Sequence, residues 1–304
     1  MKVLSLFNGM SCGMMALESL NIPVTKYYSS EIDKYANQAA QALFPDTIQL
    51  GDVTNWREWD IDWASIDLVT GGFPCQAWSM AGKQLGDKDE RGMLFWTMLD
   101  IMKHVKYHNP KADFLIENVK MKKEFEEYIT THTENALGHV HKILINSALV
   151  SAQNRNRYYW TSFEVEQPED KGILLKDIIE PTVSEKYALS HRMITGFFNK
   201  KGDFGKRFKP LSISTSKKAN TLTARYFKLA ITDNYIITGV TDSNGYGVNV
   251  RKLTPRECMR LQTVPEHHID TLLSAGISNT QLYKMTGNGW TVDVIAHILK
   301  AKFK

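Results

Sequence analysis

A short apolar run, Ile66-Asp67-Leu68-Val69, comes to a stop at Gly71-Gly72-Phe73-Pro74-Cys75-Gln76. The run is β-branched and far too short for a helix, so it predicts a buried strand. Two glycines and a proline predict its abrupt end. Pro74 donates no backbone N–H and fixes its own φ, which leaves Cys75 on a stiff turn at the strand's carboxyl end. The same pattern recurs along the chain. Lys2 to Phe7 reads as a strand, followed by the turn Asn8-Gly9-Met10-Ser11-Cys12-Gly13 and a helical pattern through Met14, Leu17 and Leu20. Thr25 to Ser30 ends at Glu31, Thr47 to Leu50 ends in Gly51-Asp52-Val53, and Phe114 to Ile116 ends in Glu117-Asn118-Val119. Short strands alternating with helices predict an α/β fold around a largely parallel sheet. Such sheets hold ligands just outside the carboxyl ends of their strands, where each of these turns falls.

The turns carry usable chemistry. A glycine turn that opens a helix lets a ligand approach unpaired N–H groups. Glu31 lies 22 residues after Gly9, near the roughly 20-residue spacing at which a carboxylate meets ribose hydroxyls. The glycines do not make the full Gly-x-Gly-x-x-Gly pattern, and a plain strand-to-helix turn accounts for them equally well. Cys75 is one of three cysteines with Cys12 and Cys258, and none sits in a C-x-x-C pair or a zinc spacing. A disulfide framework and a metal site are therefore not expected, and a reducing compartment is. His132, His139 and His141 lack acid or thiol partners at ligand spacing. No apolar run approaches a membrane span.

Net charge is +4 over 304 residues and says little by itself. Between His191 and Lys228, however, ten lysines and arginines face one acid, Asp203, so this segment is +9 and the rest of the chain −5. A basic patch on an otherwise acidic protein is the footprint of a polyanion site. The charged, proline-bearing stretch Glu164 to Lys171 ahead of it predicts a domain boundary.

Pro74-Cys75-Gln76, then Glu117-Asn118-Val119, then Gln153-Asn154-Arg155-Asn156-Arg157 stand in the order and rough spacing of three motifs of the DNA cytosine-C5 methyltransferase family, which the chain resembles from Phe7 to Trp290. Gly287-Asn288-Gly289-Trp290 departs from the usual Gly-Asn-Ser-Val of that family, and its Trp is similar to the eukaryotic de novo branch. The resemblance implies a Rossmann-like, S-adenosylmethionine-dependent methyltransferase sheet with a smaller target-recognition domain. The expected division is 1–165 for catalysis and cofactor, 166–270 for target recognition, and 271–304 for a helix returning to the catalytic domain.

The resemblance also implies roles. Cys75 would add to C6 of a flipped-out cytosine, Glu117 (kept protonated by burial) would serve N3, Asn118 would orient Glu117 or bond the base, and Arg157 would meet charge at O2, with Arg155 structural or phosphate-facing. S-adenosylmethionine would lie against Phe7, Asn8, Gly9, Met10, Ser11, Cys12, Glu31, Ile32, Asp52, Val53, Pro74, Asn288, Gly289 and Trp290. Double-stranded DNA would be contacted by Gln76, Ser79, Lys83, Lys217, Lys218, Thr223, Arg225 and Tyr226, the stretch after Cys75 acting as a lid. A cytoplasmic, monomeric enzyme on nucleoid DNA follows, with a restriction endonuclease of the same site as its companion. Two rivals stand beside it: a catalytically dead relative that binds DNA or partners as a regulator, disfavoured because Cys75, Glu117, Arg155 and Arg157 are all present, and the branch acting on transfer RNA, disfavoured by the basic insertion and by Pro-Cys-Gln.

Overall fold

The computed structural model describes residues 1–74, 90–199, 208–239 and 249–303, with backbone alone at 90 and 91. Cys75, Gln76, Ser79 and Lys83 lie outside the described residues. The chain divides into two compact units, one of 1–146, 156–168 and 292–304, the other of 147–155 and 169–291.

The first unit is built on β1 (Lys2–Leu6), β2 (Lys26–Ser30), β3 (Ile48–Gln49), β4 (Leu68–Gly71), β5 (Asp113–Val119), β6 (His141–Asn146) and β7 (Asn156–Thr161). They form one seven-stranded sheet in the order β3-β2-β1-β4-β5-β7-β6. β1 pairs in parallel with β2 on one side and β4 on the other, and β4 pairs in parallel with β5. β7 alone enters antiparallel, between β5 and β6. Strand order reverses between β1 and β4, and this switch point is where an open α/β sheet offers a crevice.

Alternation along the strands sorts their faces. Leu4, Leu6, Val69, Phe114 and Ile116 point to one side. There they form a buried cluster with Phe95, Met98, Ile101, Met102 and Val105 of the helix Glu90–His108. Helical spacing puts those residues on the face that packs on the sheet. The final helix, Val292–Phe303, packs on the first, Cys12–Ser19. One strand end differs from expectation. The glycines do not stop β4 at once: Gly71 still pairs with both Leu6 and Ile116, and the strand ends before Gly72.

The second unit holds a small sheet of β8 (Leu211–Ser212), β9 (Tyr235–Gly239) and β10 (Asn249–Lys252), with β9 in the middle. Thr254 and Glu257 form a capping box at the start of the helix Pro255–Leu261, with Pro255 in the first turn. Glu257, fully buried, also takes two bonds from the Arg251 guanidinium and one from the Glu180 N–H. That satisfies a charge that would otherwise be costly to bury.

The division corrects two expected boundaries. Residues 147–155 go with the second unit because Gln153 bridges to Ala219 and the Asn154 N–H donates to the Ala219 carbonyl at 2.9 Å. Residues 271–291 stay there too, since Gly287 and Gly289 give their carbonyls to Arg155. The return to the first unit begins at Val292.

Asp233 offers a readout of the second unit. Burial pushes its carboxyl up from 3.8 to about 6, against one bond from the Ala230 N–H. A raised acid holds its proton more tightly folded than unfolded. It costs nothing below about pH 4, where both states are protonated, and its full cost is present above about pH 6, once the folded group ionises. Asp233→Asn keeps an acceptor for Ala230 and removes the charge. Thermal melts should show Asp233→Asn raising Tm at pH 8 and leaving it unchanged near pH 4; an equal shift at both would assign the effect to packing.

Candidate active site and cofactor edge

Three loops leave the parallel strands at one edge of the first unit and are tied to each other. After β1, the Asn8 N–H donates to the Ser30 carbonyl at 3.2 Å and the Gly9 N–H to Glu31 Oε2 at 2.9 Å. After β2, the Ser30 hydroxyl donates to the Gly51 carbonyl at 2.8 Å, beyond β3. Phe7, Gly9 and Ser11 all have φ near +60°. Two of these are not glycine, and such strain gathers where a loop must hold a ligand. Asn8 stiffens the turn, accepting from the Tyr27 hydroxyl and donating to that of Ser11. Ser11 itself gives no side-chain cap to the helix it opens. Met10 and Cys12 are buried; their side chains belong to the core.

Glu31 accepts three backbone N–H groups: Gly9 at Oε2, and Ile32 and Asp33 at Oε1. A carboxylate has about four acceptor sites, so its position is over-determined and a site remains on Oε2. It is not the cap of the next helix, Lys34–Leu43; Asp33 has that role. Beside it Ile32 is 75% exposed, a large apolar side chain without cover from the described residues. Asp52 is exposed and takes the Thr54 N–H and hydroxyl, while Val53 is buried.

At the end of β5, pairing decides what the motifs mean. Glu117 faces Tyr159 of β7 and Val119 faces Arg157, so Glu117 and Arg157 are diagonal neighbours on one face. The Arg157 Nε–H donates to Glu117 Oε1 at 2.9 Å, both side chains being nearly buried. The carboxyl expected to be kept neutral by burial is therefore met by a cation. Asn118 is 1% exposed: its amide donates to the Phe73 carbonyl at 3.1 Å, and its Oδ1 accepts from the Val119 N–H. It holds the turn at Phe73, two residues ahead of Cys75.

The second unit revises further expectations. Arg155 is 3% exposed and donates to the carbonyls of Leu222, Gly287 and Gly289 at 3.1, 3.3 and 2.9 Å, so of its two expected places it has the structural one and does not face phosphate. Lys218 is drawn in by the carbonyls of Ala148 and Ser151 and does not face phosphate. Tyr226 is buried: its hydroxyl donates to the Asn234 carbonyl at 2.6 Å and accepts from the Leu253 N–H at 2.8 Å, so it cannot read a base. Lys217, Thr223 and Arg225 are exposed. Asn288 is the exposed last residue of the helix Asn279–Asn288, and Gly289 and Trp290 follow it within the second unit. Sequence reasoning overlooked Gln153, Gln262 and Gly287 as organising residues; the Gln-x-Arg-x-Arg motif contained the first.

The family described as C-5 cytosine-specific DNA methylase matches residues 1–304. The chain belongs to that family. Type II methyltransferase M1.ScrFI of Lactococcus lactis subsp. cremoris is 34% identical across 97% of this chain and 76% of its own. Type II methyltransferase M.NlaX of Neisseria lactamica is 33% identical across 98% and 94%. Among solved structures, the Entamoeba histolytica methyltransferase EhMeth superposes with a TM-score of 0.77 over 99% of this chain and 97% of its own, at 18% identity, a likeness of fold. Family and fold are those of S-adenosylmethionine-dependent cytosine-C5 methyltransferases. The strand-end residues fit that cofactor: a rigid carboxylate with a site to spare, exposed apolar surface at Ile32, and open space around the Cα of Gly9. Among the described residues no helix is long and apolar enough to cross a membrane.

Glu31→Ala should weaken S-adenosylmethionine binding by ~1–3 kcal/mol, the range for hydrogen bonds to a charged group. Calorimetry on the folded variant would measure it, and unchanged affinity would leave Glu31 as a tie between loops and nothing more.

Proposed function

We propose that this cytosine-C5 methyltransferase acts on a specific sequence in duplex DNA, through a covalent bond between Cys75 and C6 of a flipped-out cytosine. The observation that carries this reading is the geometry around the end of β5. Glu117 is paired with Arg157, and Asn118 grips the carbonyl of Phe73, on the turn that leads to Cys75.

C5 of cytosine is a poor nucleophile in an aromatic, electron-poor ring. Thiolate addition at C6 breaks that aromaticity, pushes the electron pair toward N3 and O2, and leaves C5 able to attack an electrophilic methyl. Cys is suited to this because it is strongly nucleophilic even at a low thiolate fraction. Glu117 would take up a proton as the base arrives and pass it to N3, and Arg157 would face the charge growing at O2. Water then takes the C5 proton, N3 returns its proton to Glu117, and the thiolate leaves as the ring is restored. S-adenosylmethionine, when bound, supplies a sulfonium methyl. Glu31 would hold its ribose, Phe7 and Ile32 would cover its adenine, and Asp52 would meet the adenine amino group. Because C5 cannot be reached inside a stacked duplex, the base must leave the helix.

The exposed residues Lys217, Thr223 and Arg225, with the basic segment around them, support target recognition by the second unit. The type II names of the relatives support duplex DNA over transfer RNA, and with it a restriction endonuclease sharing the site. Labelled methyl transfer to duplex DNA and to transfer RNA separates the two, and bisulfite sequencing of DNA from expressing cells gives the site. A preference for transfer RNA would overturn this reading.

Cys75→Ala should abolish transfer and leave cofactor binding within a few-fold. A duplex carrying 5-fluorocytosine at the target should trap a denaturation-resistant adduct on the wild-type protein, since fluorine cannot depart as a proton. An active enzyme that forms no such adduct does not use the thiol. Lys217→Gln should weaken all duplexes alike and flatten the log–log salt dependence by roughly 0.9, one phosphate contact; an unchanged slope removes Lys217 from the DNA face.

A further inference from the structure

Within the second unit, residues 152–155 and 219–225 run side by side. The Ala219 N–H donates to the Ala152 carbonyl at 2.7 Å, and the Thr221 hydroxyl donates to the Asn154 carbonyl. Leu222 is held by both of its backbone groups. Its N–H donates to Gln153 Oε1 at 2.6 Å, and its carbonyl accepts from Arg155 Nη1 at 3.1 Å. The same guanidinium reaches the carbonyls of Gly287 and Gly289. Gln262 ties in from behind, donating to the Thr286 and Gly289 carbonyls and standing 3.4 Å from the amide of Gln153.

Gly287 closes the remaining side. A Cβ there would fall 2.2 Å from the Thr223 carbonyl carbon and 2.3 Å from the Ala224 nitrogen, so the helix lies directly on that peptide. The backbone from Leu222 to Ala224 is thus gripped by two buried side chains and one bare helix surface. Thr221, Thr223 and Arg225 stay exposed along it.

Arg155 is buried with its guanidinium on the carbonyls of Leu222, Gly287 and Gly289. What the planar fork delivers is geometry, several carbonyls fixed by one rigid group. We propose that Arg155, assisted by Gln153, is a positioning residue for sequence discrimination: it locks the Thr221–Arg225 edge onto the Gly287–Gly289 turn, so that Thr223 and Arg225 meet base edges in a single pose. This rests on the reading above that the edge contacts bases. A recognition group does its work only when its support holds it within about 0.5 Å.

The test compares Arg155→Lys and Gly287→Ala with wild type at saturating S-adenosylmethionine. Duplexes carry the preferred site, or that site with one base pair changed, and the ratio of kcat/KM between them is read. Lys offers one ammonium in place of the fork. A methyl at Gly287 meets the Thr223–Ala224 backbone, so Gly287→Ala must displace that peptide, and circular dichroism selects the preparations that keep the wild-type fold. The ratio should fall about tenfold or more in both variants, within the range set by single-pair changes. A merely structural role lowers the active fraction, which cancels in the ratio. An unchanged ratio in both variants overturns the proposal, and a fall in Gly287→Ala alone overturns it for Arg155. Arg225→Ala keeps the two readings apart. If it changes the preferred sequence while Arg155→Lys does not, the edge reads DNA without needing the lock. If Arg225→Ala changes nothing, the base-contact reading falls first and the positioning role with it.

Discussion

β1 is hydrogen-bonded in parallel on both sides, to β2 and to β4, and the rest of the first unit follows from that. Parallel pairing forces the carboxyl ends of these strands to one edge, so the turns at Phe7–Gly9, Glu31–Ile32 and Gly72–Pro74 emerge together. Leu6 is in register with both Ser30 and Gly71. The segments leaving β1 and β4 therefore begin level, at the same edge of the sheet. β1 is central and short, and Val3, Leu4 and Leu6 are wholly buried, so a slip in its register would turn every core side chain to the wrong face.

The antiparallel insertion of β7 does for the chemistry what parallel pairing does for the cofactor edge. A parallel strand beside β5 would start where β5 starts and would carry its first residues away from Glu117. Run backward, β7 brings its beginning to the end of β5, and the first of its arginines, Arg157, reaches Glu117. The two arginines of the motif then part. Both are set by a two-residue period, yet the unit boundary falls between Arg155 and Asn156. Arg157 faces a carboxylate on the sheet, and Arg155 is enclosed by carbonyls of the second unit. One pentapeptide thus serves two bodies, which accounts for its being so compact in sequence.

Much of this was legible in the residues. The strands, the stop before Cys75, the acids at strand ends and the helix opening at Pro255 all rest on local rules: periodicity, missing N–H groups, and capping side chains at fixed offsets. Such rules act within a few residues and survive any tertiary context that keeps the element. The placement of Glu117 and Asn118 at the end of a buried strand was likewise visible, because an apolar run that ends in polar groups must expose or pair them. The recognition segment was harder. Lys217 and Lys218 are adjacent and identical in type, yet one is exposed and the other reaches carbonyls of Ala148 and Ser151 nearly seventy residues away.

What the sequence by itself determined is the alphabet of this site: a cysteine directly after a Gly-Gly-Phe-Pro run, a carboxylate at the end of a strand, and a basic segment on an acidic chain. These depend on residue type and near neighbours. The tertiary structure alone decided which polar groups are spent. Asn118 reaches Phe73, Tyr226 reaches Asn234 and Leu253, and Arg155 reaches three carbonyls, because buried polar groups must find partners wherever the fold brings them. Those partners lie 45, 8, 27, 67, 132 and 134 residues away along the chain. No local pattern encodes separations that long, and packing the chain around its two cores is what closed them.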